Sequence, residues 1–185
     1  MNDTIELCKK KLNDALNGNS DWNAPYDELI KAVYEQPVLF FALSRDNYSP
    51  ETGTSSPLIS TKDFNGQPAL YVFSDVDIAA EWMRYYRHTT DDMRYGLIGA
   101  VEKKTDGLLS LFQVARYFGT KHIMLDEGNN YVGIDMDRFF HTNGIDTSEI
   151  RVNISKQEAD SLIEGSKQAV VHFTPISCIP LTRNK

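Results

Sequence analysis

At 185 residues, with 41% hydrophobic and 24% charged side chains, the chain has the length and balance of one soluble domain with its own core. Its formal net charge of −7, with Lys/Arg runs only at 9–11 and 103–104, argues against nucleic acid and an anionic membrane surface as partners. No apolar run approaches the ~18 residues of a spanning helix, and MNDTIELCKKKLNDAL lacks the basic-then-apolar order of a secretory signal, so a cytoplasmic location is expected.

Ile5, Cys8, Leu12, Ala15 and Leu16 recur at the spacing of one helical face and predict a helix over 3–17, ended by a left-handed cap at Gly18. Tyr26, Leu29, Ile30 and Val33 repeat the pattern between Pro25, suited to a first turn, and Pro37, which stops it. VLFFALS then reads as a buried strand. Residues 45–57, RDNYSPETGTSSP, predict a long loop inside the domain. SPLISTKDFNGQPALYVFS predicts a β-hairpin, with Asn65-Gly66 at its turn.

Ser74 is placed to cap a helix over 75–87, with Asp77 supporting its first turn. Ile78, Trp82, Tyr85 and Tyr86 are expected to face the core. YGLIGAVE predicts a strand, and DGLLSLFQVARYFG the most apolar and most buried helix, closed by Gly119. HIML and YVGI predict strands joined by a DEGNN turn, before a short helix that Asp135 opens and that carries Met136, Phe139 and Phe140. IRVNIS, a helix near 155–165 and a strand AVVHFTPI follow. Helices alternate irregularly with strands and hairpins, which predicts a single α+β domain over 1–185 with a mixed or largely antiparallel sheet.

Chemistry is sparsely advertised. His88, His122, His141 and His172 do not pair at metal-ligand spacing, and no Cys-x-x-Cys occurs. His88 is expected to favour the helix dipole in a last turn. Cys8 lies on an apolar helix face and Cys178 in the apolar tail ISCIPL, so both are expected as packed free thiols. The nucleophile-elbow, P-loop and dinucleotide-binding glycine patterns do not occur. The carboxylate pairs Asp75/Asp77, Asp91/Asp92, Asp126/Glu127 and Asp135/Asp137 are expected to be solvated or capping, since acid–base work needs environments that separate their pKa values.

The segment 126–137 also fails as an EF-hand in every register. From Asp126 the third position is Gly128, from Asn130 it is Val132, and from Asp135 the loop runs into Phe139 and Phe140 with no closing carboxylate. No catalytic, cofactor-binding or metal-binding residue is assigned. Exposed aromatics remain a second reading of Trp22 with Tyr26, of Trp82, Tyr85 and Tyr86, and of Tyr48 in the 45–57 loop.

Two segments carry a family resemblance. PALYVFSDVDIAAEW (68–82) and SLFQVARYFGTKHIMLDEGNNYVGIDMDRF (110–139) resemble the SseB-type N-terminal domain family, over roughly 25–140. Residues 3–17 and 150–181 would then be extensions. The family's turn usually begins Asn-Pro-Gly, whereas this chain has Asp126-Glu127-Gly128, so only Gly128 carries over. The resemblance implies an α+β fold and a bacterial cytoplasmic protein, and supplies no catalytic residues. The expectation is a non-enzymatic module that binds a protein partner or itself, without a cofactor. The alternative is a small-ligand protein or enzyme with carboxylates such as Asp75, Asp77 and Glu81 around the sheet.

Overall fold

A computed structural model describes residues 3–45, 58–60, 66–88, 97–103, 111–113, 115–116 and 119–147. The expectations for residues 46–57, 91–92 and 150–181, with Tyr48, His172 and Cys178, lie outside them. Helix α1 (Asp3–Asn17) buries Ile5, Cys8, Leu12 and Ala15, three or four residues apart on one face. Leu16, expected on that face, is 49% exposed. The left-handed residue after the helix is Asn19, at φ 51°, and not Gly18. It lets Ser20 N–H reach back to Ala15 O at 3.1 Å, a bond that satisfies a carbonyl of the last turn.

Helix α2 (Asn23–Tyr34) packs on α1 with Leu29, Ile30 and Val33 buried. Strands β1 (Val38–Ala42), β2 (Ile59–Ser60), β3 (Ala69–Phe73) and β4 (Ile98–Glu102) follow, with helix α3 (Val76–Tyr86) after β3. Residues 111–113 and 115–116 are helical, and Leu111, Phe112 and Ala115 are buried as their apolar run requires. Gly119, at φ 90°, ends that segment, with Thr120 N–H bonded to Ala115 O at 2.9 Å. Strands β5 (His122–Leu125) and β6 (Val132–Asp135) lead into helix α4 (Met136–Thr142). Asp135 accepts from Arg138 N–H at 2.7 Å, so it caps α4 as its position predicted.

The sheet is mixed, in the order β4-β1-β3-β5-β6, and the architecture is α+β. Strand β3 runs parallel to β5, while the other pairings are antiparallel. Strand β2 shares one edge of β3 with β1, pairing Ile59 with Leu70, whereas β1 pairs Phe40 with Phe73. All five residues of β3 are buried, and its side chains alternate between two layers. Leu70 and Val72 join α1, α2, α4 and the 111–115 segment on one face. Tyr71 and Phe73 join Ile78, Ala79, Trp82 and Met83 of α3 on the other.

Two consequences bear on any site. Because β3 and β5 are parallel neighbours, their carboxyl ends open side by side, at Ser74 and Asp126. The outer edge of β6 is covered by the Tyr26 hydroxyl, which accepts from Asp135 N–H at 3.0 Å and donates to Gly133 O at 2.9 Å. One side chain of α2 thus substitutes for the strand that an open edge would recruit.

Candidate functional site

Polar chemistry concentrates where β3 and β5 end. After four strand residues, Asp126 turns the chain in the left-handed region at φ 56°, with Gly128 at 87° and Asn130 at 50°. DEGNN is therefore the turn its composition predicted, since Asp, Gly and Asn tolerate this conformation best. The expectation for the Asp126 side chain fails, however. Asp126 is neither solvated nor a helix cap, but fully buried at 0% exposure.

Burial is possible because every oxygen of that carboxylate has a donor. Oδ1 accepts from Ser74 N–H at 2.7 Å. Oδ2 accepts from the Ser74 hydroxyl at 2.8 Å and from Lys9 Nζ at 2.6 Å. Lys9 is as completely buried, and its ammonium also donates to Glu6 Oε1 at 2.9 Å. The Asp126 backbone is held too, with N–H on Val72 O at 2.8 Å and the carbonyl accepting from Asn129 N–H at 3.0 Å. A buried ion pair needs this degree of hydrogen bonding to offset its desolvation. The group ties together α1, the end of β3 and the turn after β5.

Ser74 consequently does not cap α3. Asp75 does, accepting from Asp77 N–H at 2.8 Å, while the Ser74 hydroxyl is taken by Asp126. Glu127, next in the turn, accepts from the Trp82 indole N–H at 2.6 Å. Trp82 is wedged against Tyr71 at 5.2 Å, Phe73 at 5.5 Å and Tyr86 at 4.9 Å between ring centroids. Of the four aromatic and aliphatic residues expected inward on α3, Ile78 and Trp82 are buried. Tyr85 is 81% exposed and Tyr86 51% exposed, with their rings edge to face at 4.9 Å. The core under α3 ends at Trp82 and Met83, so the last helical turn projects past it.

The other candidates are dispersed. Asp77 and Glu81 are exposed on α3, and Asp75 is engaged as its cap. Asp137 pairs with Arg116 at 2.7 Å and Asp135 with the first turn of α4, so the carboxylates of 126–137 look to different partners. Among the described residues, no group of three His, Cys, Asp or Glu side chains is placed to hold a metal. Cys8 is buried, and desolvation, opposed in part by the Lys11 charge, pushes its thiol above the ordinary value, which disfavours the thiolate. Trp22 and Tyr26 form an edge-to-face pair at 5.6 Å beneath the Arg138 guanidinium, which also bonds Asp27 and Asn23.

His88 is not a dipole partner at a helix end. It follows the left-handed Arg87, at φ 52°, and its Nε2 lies 2.5 Å from Leu43 O, joining the end of α3 to the end of β1. Burial lowers its pKa, opposed in part by the Leu43 carbonyl, with the Arg45 charge adding to the lowering. A histidine depressed in the fold binds fewer protons than in the unfolded chain below its ordinary value of ~6.5. Stability should therefore fall as pH drops through and below that value, and this contribution should be flat above it. His88→Gln, which keeps an amide donor, is expected to flatten the dependence. Urea unfolding at pH 7.5, 6.5 and 5.5 reads this directly; parallel profiles for the two proteins would contradict it.

The buried Lys9–Asp126–Ser74 group is the feature that sequence reasoning missed. Its signal was a lysine at i+4 from Ile5 and i−3 from Leu12, inside the apolar stripe of α1. The chain has no match among family models, curated proteins or solved structures.

Proposed function

We propose that this chain is a non-enzymatic protein-interaction or regulatory domain of the SseB-like type, acting in the bacterial cytoplasm. The observation that carries the reading is the pair of tyrosines standing out from the last turn of α3, on a buried tryptophan base. Tyrosine offers a large amphipathic contact area with few rotatable bonds, which is why it is enriched at the centres of protein interfaces. The buried ionisable group, by contrast, spends its donors and acceptors on itself, as a scaffold does and a substrate site does not. The partner is a protein or a second copy of the chain. Nucleic acid fits poorly with a net charge of −7, and no described helix is long and apolar enough to cross a membrane.

The test replaces both rings. Tyr85→Ala with Tyr86→Ala should leave the fold intact, because neither ring belongs to the core. Sedimentation velocity reads self-association, and affinity capture from the native cell extract reads other partners. Loss of a dimer or of a specific partner in the double variant supports the reading. Identical sedimentation and identical captured proteins would refute it.

A further inference from the structure

The turn after β5 faces in two directions. Asp126 receives Lys9 from α1, and the adjacent Glu127 holds the indole of Trp82 under the exposed tyrosines. Gly128 lies on the same indole, since a Cβ there would stand 3.9 Å from Trp82 Cδ1. Thus three consecutive residues connect the N-terminal helix to the aromatic surface of α3.

We propose that α1 is a regulatory strap whose docked Lys9 sets the turn that positions Trp82 and, through it, the Tyr85–Tyr86 surface. The mechanism is local. A left-handed aspartate carries a modest conformational cost that its surroundings must offset, and here those surroundings include the Lys9 ammonium. Withdrawal of Lys9 leaves a buried carboxylate without its cation, so the turn must rearrange to reach water. Any rearrangement at Asp126 moves the next residue, Glu127, and removes the acceptor from the Trp82 indole.

Helix α1 suits this role. It packs principally on α2 and carries a continuous apolar stripe of Ile5, Cys8 and Leu12 that a competing hydrophobic groove could take. A protein that captures that stripe would reset the tyrosine surface. By linkage, a partner on the tyrosines would tighten or loosen α1 by the same factor. The regulatory meaning rests on the interaction reading above, whereas the coupling itself does not.

The experiment uses Trp82 as its own reporter, in a Trp22→Phe background that leaves it as the remaining tryptophan of the two in the chain. Lys9→Met is expected to red-shift Trp82 emission and quicken its quenching by acrylamide, well below the melting temperature. Lys9→Met with Asp126→Asn should return both toward the parent. Phe140→Leu, a core change on the opposite face of the sheet, serves as the control for general destabilisation. Unchanged emission and quenching in Lys9→Met, or an equal change in Phe140→Leu, overturns the proposal.

If Lys9→Met does not fold, the reciprocal arm decides. Glu127→Ala should raise hydrogen exchange of α1 amides by about fivefold or more, the lower end of ordinary coupling. Unchanged α1 exchange overturns the proposal. None of these readouts needs a partner, so a negative result with the tyrosine variants leaves them interpretable and tests a separate claim.

Discussion

Lys9→Met should destabilise the fold by about 3–5 kcal/mol, the usual cost of leaving one member of a buried pair without the other. The figure is large because the Asp126 carboxylate can reach water only if the turn that holds it rearranges, both side chains being fully buried at 2.6 Å from each other. Ser74 still supplies two donors, but neither carries charge. A surface pair gives the comparison. Lys11 and Glu28 also meet, at 2.7 Å, yet each is about half exposed. Lys11→Met should therefore cost no more than ~1 kcal/mol, although Lys9 and Lys11 lie two residues apart on one helix. Adding Asp126→Asn to Lys9→Met removes the stranded charge while keeping an acceptor for Ser74 N–H. The double variant should thus be more stable than Lys9→Met alone. Urea midpoints with an unchanged slope measure all four proteins. A Lys9→Met cost no greater than that of Lys11→Met would show that the pair contributes little as a buried charge.

The same residues show where reading the sequence succeeds. Helices with an apolar stripe and strands with a continuous apolar run declare themselves, because burial acts on the whole element. Thus α1, α2, β1, β3 and the β5–turn–β6–α4 unit stand where periodicity and turn chemistry place them. Side-chain assignments fail where a distant partner outbids a local one. The Ser74 hydroxyl could cap α3 by local rules, yet a carboxylate 52 positions away takes it and Asp75 caps the helix instead. Tyr85 and Tyr86 continue the helical stripe of Trp82, but a stripe says nothing about where the opposing layer stops. Lys9 reads as one charge in a basic run, since its burial depends on Asp126 being 117 residues downstream. The candidate site was therefore the less legible part. Its members come from α1, the end of β3 and the turn after β5, and the pairing of β3 with β5 and the packing of α1 on the core bring them together.

Gly99→Ala should cost about 1–3 kcal/mol, as overpacking of a filled core does. Gly99 sits directly across from Phe41 in the β1–β4 ladder, so the two side-chain positions share one face of the sheet. An added Cβ would lie 2.6 Å from Phe41 Cζ and 3.0 Å from both Cε atoms, closer than carbon atoms tolerate. Alanine in place of glycine ordinarily favours a strand interior by ~0.5–1 kcal/mol through backbone entropy. That gain is the smaller effect here, because the phenyl ring is 1% exposed and belongs to the larger core cluster, with no solvent into which it can retreat. The ring itself is what occupies the space over the glycine, so shortening it should relieve the clash. Phe41→Leu alone leaves a void and costs stability; with Gly99→Ala, the combined loss should be smaller than the sum of the two. Thermal and urea unfolding of the two single variants and the double variant complete the cycle. A neutral or stabilising Gly99→Ala would mean that β1 and β4 slide past this contact, and additive losses would mean that the ring and the glycine are not matched to one another.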